Sequence, residues 1–211
     1  MIAILDLGIS NIGSLNQAFH QVGLYGTLTN RAADIRAAKA VILPGVGAYG
    51  DAMACLRDHG LIEELRAAAA AGKPLLGICL GMQLLASGST EHGDFAGLGL
   101  IPGQIERLPE TDQVRVPNIG WCDVTRARSG VLFPEDSEVR SFYFVHSYHF
   151  VPKDPHAIAA TIDSGSQKFV AAVETGNIFG VQFHPEKSQD AGLDLLSRYV
   201  SFLRASGCYE K

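Results

Sequence analysis

Cys79 stands in Gly77-Ile78-Cys79-Leu80-Gly81, with a glycine two residues to either side, an apolar run at residues 74–78 before it and a helical pattern after it. This is the layout of a nucleophile elbow with sulfur in place of a hydroxyl. The glycines permit a tight turn that a Cβ would obstruct, and the turn lifts the reactive side chain to the carboxyl end of a sheet. The helix that follows points its N-terminal amides at the sulfur, and those amides with the helix dipole favour the nucleophilic thiolate. The bland reading, a small buried hydrophobe, suits Cys55, Cys122 and Cys208, which lack such flanks.

A cysteine nucleophile needs an imidazole to move its proton, and the imidazole needs a third group to orient it. Among seven histidines, His184 ends an alternating apolar strand in Gly180-Val181-Gln182-Phe183-His184-Pro185-Glu186. A histidine at the carboxyl end of a strand shares a rim with an elbow cysteine. Pro185 biases His184 towards an extended backbone, which sets Glu186 on the same side as the imidazole and able to hold its tautomer. His146 and His149 also end a strand, but no acid follows His146 at that spacing. A metal reading is weak, since neither a His-x-x-x-His helix nor a cysteine pair accompanies these histidines.

Acyl transfer also needs donors for a developing oxyanion, and amides in a glycine-rich turn supply them. Leu43-Pro44-Gly45-Val46-Gly47-Ala48 lies between a strand and a helix on the same rim, although an ordinary strand-to-helix turn would look the same. A dinucleotide or phosphate loop is excluded there, because Gly-x-Gly-x-x-Gly and Gly-Lys-Ser are both absent. No metal and no cofactor are expected.

These residues must be held by elements the sequence also outlines. Strands are expected at residues 2–6, 26–29, 40–43 and 74–78, alternating with helices, as in a parallel sheet with crossovers. Ile12, Leu15, Phe19 and Val22 share one helix face that Asn11 would cap; Tyr49, Met53 and Leu56 form another stripe, and residues 61–71 an alanine-rich helix. In the second half, strand-like runs at residues 103–108, 122–126, 141–145, 157–161, 169–174 and 178–183 follow closely, which predicts an antiparallel extension. A last helix is expected over residues 191–203. The fold class is thus α/β, with a mostly parallel central sheet flanked by helices and residues 1–211 forming a single domain.

Composition narrows the function classes. With 18% charged and 47% hydrophobic residues, the 211-residue chain reads as a compact globular domain. Its net charge of -5, without a basic run, argues against nucleic acid as a partner. No signal peptide or bilayer-length apolar stretch is legible, so no membrane association is expected and the reading is cytoplasmic. Four cysteines without a close pair point the same way, to free thiols in a reducing compartment.

The segment from Gly77 to Gln83, together with Phe183-His184-Pro185-Glu186, resembles the class I, or triad, glutamine amidotransferases, whose domains hydrolyse glutamine through a thioester and release ammonia. The similarity covers essentially the whole chain. Within that group, Pro44-Gly45-Val46-Gly47-Ala48, Pro117-Asn118-Ile119-Gly120-Trp121 and Phe144-Val145-His146-Ser147-Tyr148 resemble glutaminase subunits of imidazole glycerol phosphate synthase, an enzyme of histidine biosynthesis.

The resemblance implies Cys79 as nucleophile, His184 as general base and acid and Glu186 as orienting acid. The oxyanion hole would be formed by Leu80 with Val46 and Gly47. Glutamine would be held by Gly47, Gln83, Glu91, Ser147 and Tyr148, with a solvated helix residue as the alternative for Gln83. Trp121 and Lys187 would face the partner, a (β/α)8 barrel cyclase subunit that receives the ammonia, and peptides of residues 44–47 turned away from the thiolate would keep the isolated glutaminase slow. The motifs fill the chain, so a separate ammonia-using chain is expected. Two places depart from the family pattern: Asp6-Leu7-Gly8-Ile9-Ser10-Asn11 stands where Asp-Tyr-Gly is usual, and Cys122 where Asn usually follows Gly-Trp. Amidation in sugar or pyridoxal phosphate biosynthesis, and a catalytically silent binding subunit, are the alternatives; the Gly-Gly-Glu-Ser loop of the pyridoxal phosphate glutaminases is absent.

Overall fold

The computed structural model describes residues 1–8 and 12–210. The first half runs β1 (Ile2–Leu5), α1 (Ile12–Gln21), β2 (Thr27–Thr29), α2 (Ala32–Ala37), β3 (Ala40–Gly45), α3 (Tyr49–Asp58), α4 (Ile62–Ala70), β4 (Leu75–Cys79) and α5 (Leu80–Leu84). The chain continues with β5 (Gly88–Ser89), β6 (Phe95–Ala96), β7 (Gly103–Arg107), β8 (Asn118–Arg126), β9 (Arg140–His146), β10 (Tyr148–Pro152), β11 (Ile158–Ser164), β12 (Gln167–Thr175), β13 (Ile178–Val181) and α6 (Gln189–Ala205). The Asn11 cap expected for α1 lies outside the described residues.

A nine-stranded sheet has the order β2-β1-β3-β4-β13-β12-β11-β8-β9. From β2 to β13 the pairings are parallel, and from β13 to β9 every pairing is antiparallel. The expected antiparallel extension is therefore present. Strands β1, β3, β4 and β13 are buried along their whole length, which is why they read as unbroken apolar runs and not as alternating ones. One face of the sheet packs on Leu15 and Phe19 of α1 and Leu196, Tyr199 and Leu203 of α6. The other face packs on Met53 and Leu56 of α3, Leu65 of α4, and Leu80 and Leu84 of α5. Gly72, with φ of +78°, takes the left-handed turn after α4.

Four elements, α2, β5, β6 and β10, were not legible in the sequence. Helix α2 has six residues and buries only Ile35, too little for a stripe. Strands β5 and β6 have two residues each, below the length at which alternation shows. They join β10 and β7 in a second sheet, ordered β10-β7-β5-β6. Residues 148–152 look like the tail of β9, but the chain leaves the large sheet at Ser147 and pairs Tyr148 with Arg107 of β7 instead.

Strand direction sets the rim. Because β13 is parallel to β4, and four antiparallel pairings separate β13 from β9, the carboxyl ends of β3, β4, β13 and β9 all point the same way. Residues from four distant parts of the sequence thus converge at one edge. Among the described residues, no helix is long and apolar enough to cross a membrane.

Candidate active site

Cys79 closes β4 with φ of 54° and ψ of −112°, a conformation that L residues avoid. The flanking glycines have a steric cause. A Cβ on Gly77 would lie 2.6 Å from the Gly81 carbonyl carbon and oxygen, and one on Gly81 would lie 1.7 Å from the Leu43 carbonyl oxygen. Elbow and neighbouring strand therefore touch backbone to backbone. The following helix differs from expectation: α5 spans only five residues, Leu80 to Leu84, so the dipole of a long helix is not available to the sulfur.

His184 lies three residues past the end of β13, with an extended backbone at φ −98° and ψ 97°. Glu186 returns to it through a single 3₁₀ turn at Pro185–Lys187, not along a continuing strand. Glu186 Oε1 accepts from His184 Nδ1 at 2.8 Å, and both side chains are buried. His184 Nε2 is buried with no hydrogen-bond partner of ordinary geometry among the described residues, which leaves it for the thiol. Burial works to lower the imidazole pKa, but the combined pull of Cys79 and Glu186 outweighs it and raises the value to about 9. The raised value favours the imidazolium form, which can give a proton to a group leaving beside the sulfur.

The backbone around His184 is pinned as well. Its N–H donates to the Tyr143 carbonyl at 2.9 Å. The buried Ser188 hydroxyl donates to the His184 carbonyl at 2.6 Å and accepts from the Tyr143 N–H at 3.0 Å. Edge strand β9 thus clasps the histidine loop directly.

A cleft of about 270 Å³ opens over Cys79, lined by Val46, Gly47, Leu80, Gln83, Glu91, Pro117, Val145, His146, Ser147, Tyr148 and His184. Every residue expected to hold the oxyanion or the substrate borders it. Gly45 pairs with Cys79 across β3 and β4, which brings Val46 and Gly47 beside Leu80. Gly47, at φ of +102°, has a backbone that a side chain would oppose. Glu91 is fixed in the wall because its Oε2 accepts from the Tyr49 N–H at 2.8 Å, at the start of α3. Gln83 is buried, not solvated; its Nε2 donates to the Tyr148 carbonyl at 3.1 Å and to Gln182 Oε1 at 2.9 Å.

The rival histidines separate cleanly. His146 reaches the cleft, but its Nδ1 donates to the Tyr148 carbonyl at 2.8 Å and its Nε2 accepts from Asn118 Nδ2 at 3.0 Å. Burial drives its pKa down to about 4, so it stays neutral with both nitrogens engaged. His149 packs edge-on against Phe169, outside the cleft. Sequence reasoning assigned no role to Asn118, His146, Gln182 or Ser188; the one local signal was a polar Gln182 inside an apolar strand end.

Trp121, in β8, and Lys187, in the turn after His184, are absent from the cleft lining, and both lie against Tyr143 of β9. Trp121 is 49% exposed and Ile119 60%. The Trp121 and Tyr143 rings meet edge to face at 6.1 Å, and Lys187 Nζ lies 5.7 Å over the Tyr143 ring. Exposed Trp121 and Ile119 give this face the aromatic and apolar character of a protein interface.

Comparison with known proteins agrees with this geometry. The family model described as Glutamine amidotransferase class-I matches residues 3–198. The imidazole glycerol phosphate synthase subunit HisH of Moorella thermoacetica is 45% identical, over 98% of this chain and 97% of the relative. That of Chlorobaculum tepidum is 40% identical, over 96% of this chain and all of the relative. Among solved structures, one titled as a glutamine amidotransferase has a TM-score of 0.75 at 21% identity, covering 98% of each chain, and a chain of PurLQS from Thermotoga maritima has 0.73 at 22%, covering 96% of this chain and 98% of that one. An elbow thiol, a His-Glu pair on the same rim and near end-to-end similarity lead to one assignment: the chain belongs to the class I glutamine amidotransferases, among the imidazole glycerol phosphate synthase subunits HisH.

Proposed function

We propose that this chain is the glutaminase subunit of an imidazole glycerol phosphate synthase, acting as one domain in the cytoplasm and passing ammonia to a (β/α)8 barrel cyclase. The observation that carries the chemistry is the Cys79–His184–Glu186 constellation, with Cys79 and His184 lining the cleft and Glu186 bonded to His184 Nδ1 behind it. The relatives named as synthase subunits, which the chain covers almost end to end, support the acceptor. Four free thiols suit a reducing compartment.

The mechanism follows from the geometry. Glutamine enters with its carboxamide over Cys79 and its amino-acid end toward Gln83, Glu91, Ser147 and Tyr148. The thiolate attacks the carboxamide carbon, and the carbonyl electrons move to an oxyanion held by the Leu80 amide and the amides of Val46 and Gly47. The His184 imidazolium gives its proton to the departing nitrogen, so ammonia leaves and a thioester remains. Neutral His184 then takes a proton from water, the hydroxide attacks the thioester, and glutamate leaves as thiolate and imidazolium are restored. Glu186 keeps the imidazole in the tautomer that presents Nε2 to the sulfur.

The proton inventory gives a pH test. The acid form of His184 is needed and its pKa is raised, so turnover persists below that value and is lost as pH rises through about 9. Replacing Glu186 by Gln removes one of the raising influences. The alkaline limb then moves to lower pH and turnover falls by about 100-fold or more. An unshifted limb in the folded variant would remove Glu186 from this role.

The partner face yields a binding test. Mixing the chain with a cyclase-type barrel subunit should give a stable complex in which the cyclase substrate raises glutamine hydrolysis. Trp121→Ala should weaken that complex roughly 30-fold, the loss expected of an aromatic anchor worth about 2 kcal/mol. Calorimetric titration reads the constant. No complex, or no stimulation, would sink the assignment of acceptor while leaving the glutaminase chemistry standing.

A further inference from the structure

We propose that Gln182 is a further catalytic residue: its side-chain amide donates to the nucleophilic sulfur, oriented through Gln83 by the carbonyl of Tyr148. The role deepens the glutaminase reading and rests on it.

Gln182 follows β13, and its backbone N–H donates to the Ala171 carbonyl at 2.8 Å, anchoring the residue at the sheet's rim. The residue is fully buried. Its Nε2 lies 3.8 Å from Cys79 Sγ, within hydrogen-bond range for sulfur. Elsewhere in the interior an apolar side chain would avoid the cost of desolvating an amide, so a buried glutamine satisfied at both ends is a specific arrangement.

The direction of the amide follows from chemistry. A backbone carbonyl can only accept, so the Gln83 atom at 3.1 Å from the Tyr148 oxygen is Nε2. That nitrogen also lies 2.9 Å from Gln182, whose facing atom must then be Oε1. Gln182 is left presenting its N–H groups to the sulfur. The same carbonyl fixes the other side of the cleft, since His146 must donate to it from Nδ1 and hence accept at Nε2 from Asn118. Asn118 Oδ1 is then turned toward Cys122, 3.7 Å away. One carbonyl sets the polarity of a chain of side chains that begins at the β8–β9 hairpin and ends on the nucleophile.

A donor aimed at sulfur stabilises negative charge there, in the attacking thiolate and again when the thioester is cleaved. Because the residues that orient Gln182 are packed and satisfied, this stabilisation is present before substrate arrives. Gln83, assigned above to glutamine binding, has both amide hydrogens committed to this chain, which leaves its Oε1 as the atom for a substrate ammonium.

The test follows alkylation of Cys79 by iodoacetamide against pH in the full-length protein, read by mass spectrometry of the Cys79 peptide. In Gln182→Met, which conserves volume but lacks the donor, the profile should move about one pH unit upward, a tenfold loss of rate on its rising limb. Gln83→Met, which frees Gln182 from its orienting partner, should move it in the same direction by less. A profile coincident with wild type in folded Gln182→Met overturns the proposal; should that variant fail to fold, folded Gln83→Met decides on the same terms. A purely structural glutamine would lower the melting temperature and leave the profile in place. The readout is thiol reactivity, so it remains valid even where the wild-type chain proves inert toward glutamine, which is the separate failure of the underlying reading.

Discussion

In Cys79→Ala, glutamine hydrolysis should fall by at least about 10⁴-fold, while synthesis from added ammonium salts by the reconstituted complex continues. The substitution removes one sulfur atom and keeps the Cβ, so the elbow, already strained at φ of 54°, need not change. Lost are the covalent intermediate and one of the groups that raise the His184 pKa. Without the thiolate, water would have to attack a carboxamide directly, and the residual rate would come from the oxyanion donors and substrate binding alone. The ammonia-dependent reaction takes place on the partner and is the control that separates lost chemistry from lost assembly. Glutamine turnover within tenfold of wild type would mean that Cys79 is a structural thiol and that the cleft works differently.

The parts of this site that could be read from the sequence are those encoded by neighbours along the chain. Glycines at Gly77 and Gly81 mark an elbow because its steric demand is local, and His184-Pro185-Glu186 marks an oriented imidazole because one turn spans it. Long-range meaning was not legible. Gln182 is 103 residues from Cys79 and 99 from Gln83, and nothing beside it reports either contact. His146 and His184 both follow strand-like runs in the sequence, and only the bond of His146 to Asn118, across the β8–β9 pairing, shows that its second nitrogen is occupied. The large sheet was readable since its central strands are long apolar runs. The small sheet was not, since it is assembled from two-residue strands and from β10, whose departure from β9 at Ser147 carries no composition signal.

That departure also joins the outer patch to the cleft along one stretch of chain. Ser147 and Tyr148 lie in the cleft because the chain crosses there between sheets, and Tyr143, five residues before Tyr148, is bonded to His184 and underlies Trp121 and Lys187. The stretch from Tyr143 in β9 to Tyr148 at the start of β10 therefore runs from the backbone of His184 into the cleft.

Gly81→Ala should destabilise the protein by more than about 3 kcal/mol, near the upper end of single-substitution effects. The added Cβ would fall 1.7 Å from the Leu43 carbonyl oxygen and 2.7 Å from its carbon, and these are backbone atoms with no rotamer to yield. Strand β3 cannot retreat easily, because Leu43 pairs with Gly77 of β4 and the strand is buried throughout. Moving the start of α5 instead would drag the Leu80 amide and Cys79 with it, and a displacement of about 1 Å costs roughly 100-fold in rate. Both stability and turnover should fall together, with the denaturation midpoint dropping at unchanged slope. Gly13→Ala is the matched control: that residue lies in α1 with nothing within 4 Å of its added Cβ, and the change should be neutral or stabilise by up to about 1 kcal/mol. Equal stability of the two variants would show that the elbow tolerates a side chain, and the steric account of its glycines would have to be abandoned.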